Sequence, residues 1–129
     1  MKRYRMWIVV LIVFFALSVV LIIYDGLYGN FIRNYLMEKR TEQYLINKGY
    51  KREDILSIEA TYSMKFNTDY MNGTIAYVSF KDEPKEKYLY VQWRKSGKVQ
   101  QECSYYNEDS NAVEVEYTKE RKHMVEGCY

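Results

Sequence analysis

The chain has a single histidine and only two cysteines, and no His/Cys/Asp/Glu cluster with metal-ligand spacing is visible in it. A glycine-rich phosphate loop and a serine-nucleophile motif are also missing, and so are internal repeats and low-complexity segments. A surplus of one charge is lacking where it would matter. The formal net charge is +2, yet three of the nineteen Lys and Arg residues stand in the first five positions, leaving sixteen against seventeen Asp and Glu. Nucleic-acid binding needs a concentrated basic face, and a polybasic tether to anionic lipid needs a basic run, so this balance argues against both. The expectation is a protein without a cofactor or a resident metal, and not an enzyme.

What is present, and heavily, is apolar residue at one end. From Met6 to Tyr24 only Ser18 is polar and nothing is charged. As a helix rising 1.5 Å per residue, such a run spans roughly 28 Å, close to the ~30 Å hydrocarbon core of a bilayer. A secretory signal has a shorter apolar core, roughly 7–15 residues, followed by a small-x-small cleavage site. Here the exit is "LIIYDGLYGN", which offers no such site, and Trp7 and Tyr24 bracket the run as interfacial aromatics do. A core helix apolar on every face would need a larger protein around it. The run therefore reads as a retained anchor in membrane lipid. Lys2, Arg3 and Arg5 precede it, and the next basic residue is Arg33, so the positive-inside rule keeps the N-terminus cytoplasmic and sends the bulk across.

The layout is then a basic start (1–5), an anchor (6–24), a linker (25–30), an extracytoplasmic domain (31–117) and a charged tail (118–129). Mean hydropathy is −0.46 despite the anchor, so the remainder is strongly polar and sized for one small domain. In "FIRNYLMEKRTEQYLINK" (31–48), Ile32, Leu36, Met37, Thr41, Tyr44 and Leu45 recur at helical spacing, and Gly49 suits the left-handed position after the helix, with Tyr50 packing back on Leu45. Beyond residue 56 the period drops to two. Strands are expected at 57–66, 74–80, 88–94 and 99–106, with a short edge strand from Ala112, turns at Asn72-Gly73 and "KSGK", and Pro84 stopping any ladder in "KDEPKEK". The expected fold class is α+β: a transmembrane helix, then one amphipathic helix on a four- to five-stranded antiparallel meander. The inner face would hold Ile58, Tyr62, Met64, Val78, Phe80, Leu89, Val91 and Trp93.

The basic start, the single span, "YLINKGYKREDILSIE" and "VSFKDEPKEKYLYVQ" together resemble a family of small membrane-anchored proteins of Gram-positive bacteria, domain of unknown function 3139. The likeness runs over roughly residues 5–105 in layout. It implies a bacterial cell envelope and carries no catalytic residues over. In element order the domain is also similar to PepSY-like and cystatin-like folds, although the cystatin Q-x-V-x-G motif is absent and a shared fold does not define function.

Several clusters invite chemistry. His123 stands beside Lys122 in a charged tail, where a catalytic Cys–His pair would still lack a third, orienting group. Asn107, Asp109 and Asn111 alternate as in a calcium loop, but Ala112 and Thr118 occupy the Gly and Glu positions, so a plain turn is the better reading. Asp82, Glu83 and Glu86 alternate with lysines as a solvated turn would. Cys103 and Cys128 could pair outside the cell across about 25 residues, or remain unrelated thiols. The feature above background is tyrosine, fifteen in all. With Leu89, Val91 and Trp93 inward, Tyr88 and Tyr90 would face out beside Gln92 and Arg94, with Tyr77 and Tyr106 on neighbouring strands. Such a face serves either as a binding surface or as cross-strand packing. The functional expectation is a membrane-tethered interaction domain whose partner is an envelope protein or peptide. The alternative is a bacteriocin-immunity or envelope-stress membrane protein, with an envelope enzyme or protease inhibitor behind both.

Overall fold

The computed structural model describes residues 1–107, 111–114, 121–125 and 128, and for 104–107 and 113–114 the backbone alone. Helix α1 (Lys2–Tyr28) buries no residue against the rest of the chain. Its most apolar 18-residue window has a mean hydropathy of 3.2, so the helix is long and apolar enough to cross a membrane. It continues through Asp25-Gly26-Leu27-Tyr28, so the expected linker narrows to Gly29-Asn30. Two constraints require glycine at position 29. Its φ is +77°, and a Cβ there would lie 2.8 Å from the Cβ of Tyr62. Asn30 then starts α2 (Phe31–Asn47), its side-chain oxygen accepting from the Ile32 N–H at 2.9 Å.

Met37, Thr41 and Leu45 are the buried stripe of α2, while Ile32 and Leu36 in its first two turns stay exposed. The helix stops as its sequence implies. Gly49 takes φ +102°, the Tyr50 N–H reaches back to the Leu45 carbonyl at 3.1 Å, and Tyr50 joins the cluster around Leu45.

A five-stranded antiparallel sheet in meander order follows: β1 (Ile55–Tyr62), β2 (Thr74–Phe80), β3 (Glu83–Gln92), β4 (Val99–Asn107) and β5 (Ala112–Glu114). Helix α2 packs on one face, mainly over β1 and β2. β1 ends earlier than its alternation suggests, because Met64–Phe66 form a turn of 3-10 helix. That turn leaves Met64 80% exposed and carries Phe66 to the opposite face of the sheet, where it packs with Met71 on Ile75, Leu89 and Val91. Pro84 does not halt the ladder; it lies near the start of β3, just after Glu83 pairs with Phe80.

The facing of β3 corrects the expectation. Val78 pairs with Tyr88 and Ala76 with Tyr90, so the two tyrosines share the helix side with Val78 and Phe80. Leu89 and Val91 lie in the second core, on the far face. Of the expected inner residues, Ile58, Val78 and Phe80 are on the helix side and Tyr62 is half-buried, whereas Trp93 is half-buried and donates its indole N–H to Gln100 at 2.9 Å.

The tail is a second correction. Its described residues are part of the domain. Cys103 and Cys128 form a disulfide with Cα atoms 5.1 Å apart. The fully buried Gln101 holds the segment as a strand would, donating to the His123 carbonyl at 2.9 Å and accepting from the Val125 N–H at 2.8 Å. Met124 is buried in the helix-side core.

Candidate functional site

The two tyrosines expected to face outward, Tyr88 and Tyr90, lie in the core. Tyr88 is 0% and Tyr90 2% exposed. Tyr88 donates its hydroxyl to Glu83, and Tyr90 meets the edge of Tyr44 with ring centroids 5.9 Å apart. Burial holds both phenols above their ordinary value, in Tyr88 with the Glu83 hydrogen bond adding to it. Tyr77 does lie on the face away from α2, half-buried against the second core, and burial followed by the charge of Glu102 raises its phenol. The Tyr106 side chain lies outside the described residues, as does most of the segment 107–118 read as a plain turn rather than a calcium loop.

His123 does not sit in solvent. Its ring stacks on Phe80 with centroids 3.8 Å apart, one nitrogen 2.8 Å from an Asp82 carboxylate oxygen and the other 3.1 Å from the Tyr50 hydroxyl. The carboxylates expected to form a solvated turn are all engaged: Asp82 with His123, Glu83 with Tyr88 and Glu86 with Arg121. Asp82, His123 and Tyr50 thus form a carboxylate–imidazole–phenol chain. Burial, then the charge of Asp82 and the neighbouring Tyr44, push the Tyr50 phenol up. The chain of groups ties the tail to the sheet.

The hydrogen bond from His123 holds the Asp82 carboxyl below its usual value; desolvation opposes it, and the charges of His123 and Lys122 lower it further. A carboxyl with a depressed folded-state value stabilises the fold above its unfolded pKa, and that contribution is lost as pH falls through the folded one. Asp82→Asn should therefore lower stability near neutrality by less than about 1 kcal/mol, the scale of a half-exposed pair. Thermal unfolding of variant and wild type should converge below pH ~3, beyond the carboxylate range. A gap that persists at low pH would assign the effect to packing rather than to charge.

The arrangement with unspent chemistry is elsewhere. Between the first half of α2 and the loop joining β1 to β2 lies a cavity of about 250 Å³ lined by Arg33, Arg40 and Arg94, by the amides Asn67, Asn72 and Gln92, and by Leu36, Met37, Tyr62, Gly73 and Thr74. No carboxylate lines it. Gln92 is its buried floor: Oε1 accepts from Arg40 at 3.2 Å and from Asn72 at 3.1 Å, and Nε2 donates to the Gly97 carbonyl at 2.9 Å. Arg94 is held by the Asn67 side chain at 2.8 Å and by the carbonyls of Thr68 and Met71 at 3.2 and 3.3 Å. Both guanidinium groups are thus oriented by neutral acceptors, which fix geometry and leave the charge uncompensated. Among the described residues the Arg33 side chain has no hydrogen-bond or ion-pair partner. Such a cleft can receive an anion with bidentate arginine geometry.

Of the residues expected to bind, Gln92 and Arg94 line this cleft, though not beside exposed tyrosines. Arg33, Arg40, Asn67 and Asn72 were missed. Arg33 and Arg40 are seven apart, hence two turns along one side of α2, which is the signal available in the sequence. What joins them to Arg94 is sheet register.

The fold defines a class: a small α+β domain on a single N-terminal apolar helix. Within that class residues 4–90 match a family of proteins of unknown function, and the chain belongs to this family, DUF3139. No curated protein and no solved structure matches it.

Proposed function

We propose that this is a single-pass membrane protein of the bacterial cell envelope, with a cytoplasmic N-terminus and an extracytoplasmic domain that acts by binding rather than by catalysis. The observation that carries the placement is the Cys103–Cys128 disulfide, which lies in the domain, while Lys2, Arg3 and Arg5 lie at the other end of α1. Disulfides persist in oxidising compartments and basic residues stay on the cytoplasmic side, so two independent rules orient the chain the same way. The arginine-lined cleft supports binding, since its charge is positioned but meets no carboxylate among the described residues. An envelope protein or peptide is the partner class for the domain as a whole.

Protease shaving of intact cells carrying a C-terminal tag tests the placement. The tag should disappear without lysis while an N-terminal fragment stays in the membrane fraction. A tag protected until lysis would invert the orientation and discard the proposal.

A further inference from the structure

We infer that the cleft formed by Arg33, Arg40 and Arg94 binds the phosphate of an anionic phospholipid from the bilayer that α1 spans; this rests on the membrane-anchor reading above, and not on which leaflet the domain faces. The first argument is position. If residues 6–24 fill the hydrocarbon, the helical residues 25–28 rise about 6 Å further, at 1.5 Å each, into the headgroup layer. α2 begins two residues later, so Arg33 lies within a turn of that level. Arg33 also lines a second, adjoining cavity with Asp25, Gly26, Gly29 and Asn30, which connects the end of the membrane helix to the arginines. Asp25 is on the wall of this outer cavity, and the inner one has no carboxylate, so an anion is favoured at the inner end.

The second argument is the surface around the mouth. Leu36 and Met64, which line the inner and the outer cavity, are both exposed, and so is Ile32 one turn before Leu36. Apolar side chains next to positioned arginines match a ligand that is a phosphate on an acyl-chain boundary better than they match a free ion. Chemistry supplies the third. Arg94 spends Nε and Nη2 on the loop 67–71, which leaves both hydrogens of Nη1 for a ligand; Arg33 spends none. This is a discrete site for one phosphate, unlike the diffuse polybasic tether that the overall charge balance argues against.

The test uses the full chain purified in a nonionic detergent, with thermal unfolding followed as lipid is added. Phosphatidylglycerol should raise the unfolding temperature saturably, and phosphatidylcholine with the same acyl chains should not. Arg33→Gln should shift the half-saturating phosphatidylglycerol concentration up by roughly tenfold, the scale of one charge-assisted contact. Because the Arg33 side chain has no partner among the described residues, this variant should unfold at the wild-type temperature without lipid. Arg52→Gln, which removes a charge paired with Glu42 away from the cleft, should respond to lipid as the wild type does. Equal responses to the two lipids, or an unshifted titration in Arg33→Gln, would overturn the inference. Saturation by inorganic phosphate at the same concentration would also overturn it, by assigning the cleft to a soluble anion. Failure of the anchor reading looks different: the chain would then leave cell membranes on alkaline carbonate washing, whatever lipid the domain prefers.

Discussion

Tyr88→Ala should destabilise the domain by about 3–5 kcal/mol, the range for truncating a large buried aromatic. The side chain is fully buried in the helix-side core, beside the docked tail. It packs edge-on to Phe80 with ring centroids 5.6 Å apart, approaches the His123 ring at 5.8 Å, and gives its hydroxyl to Glu83. Truncation leaves a cavity beneath the docked tail and strands a carboxylate in a half-buried position. Tyr88→Phe keeps the ring and loses the hydrogen bond alone, so it should cost about 1 kcal/mol, or up to about 3 because the acceptor is charged. For a domain of about 100 residues each kcal/mol moves the unfolding temperature by roughly 4–8 °C, so the two variants should separate clearly in a thermal melt. This inverts the outcome expected had Tyr88 been a surface contact, where alanine would leave the fold intact and abolish only binding. A Tyr88→Ala protein that melts with the wild type would restore that surface.

The facing of β3 shows why this could not be read in advance. Alternation in β1 is legible because only one of its faces is apolar: Ile58 and Ala60 against Glu59 and Thr61. "YLYV" (88–91) is apolar on both faces, so periodicity fixes a strand and leaves its orientation open. Orientation is decided by the pairing of Val78 with Tyr88, beside a bulge between Val78 and Phe80 that no local pattern announces. The second core is why both faces are apolar, and it exists because Phe66 and Met71 fold under the sheet from a loop that looks like an extended strand end. The α2 cap was legible for the opposite reason. Gly49 and Tyr50 act within six residues of Leu45, where sequence distance and spatial distance agree. In the tail, a run of Lys, Glu and Arg reads as solvated, yet Arg121 meets Glu86 and His123 meets Asp82. Both partners lie in "KDEPKEK", a charge-balanced segment whose pairing is set by tertiary placement. The cleft follows the same rule: Arg33 and Arg40 are visible as one side of a helix, but the loop held by Arg94 is contributed from far along the chain.

Reducing the Cys103–Cys128 disulfide, or replacing both cysteines by serine, should lower stability by roughly 3 kcal/mol, the chain-entropy value for closing a loop of this size. The closed loop spans 25 residues of separation. It joins β4 to the segment that covers Phe80, Tyr88 and Gln101. Once the link opens, the tail is held by the Gln101 amide, the His123–Asp82 pair and the burial of Met124. None of these is local in sequence, so the entropy of releasing about 25 residues opposes them together. Hydrogen exchange on the oxidised and reduced full chain checks this directly. The Val125 amide, which donates to Gln101, should lose protection on reduction by a factor of roughly 100 or more, consistent with 3 kcal/mol. The amides of β2 paired with β1 should change less, since α2 and the first hairpin do not depend on the tail for their register. Uniform loss of protection would mean that the tail and the sheet form one cooperative unit. Unchanged protection at Val125 would mean that noncovalent docking suffices. The expected, localised loss ties stability to compartment: the fully docked domain is favoured where the disulfide can form.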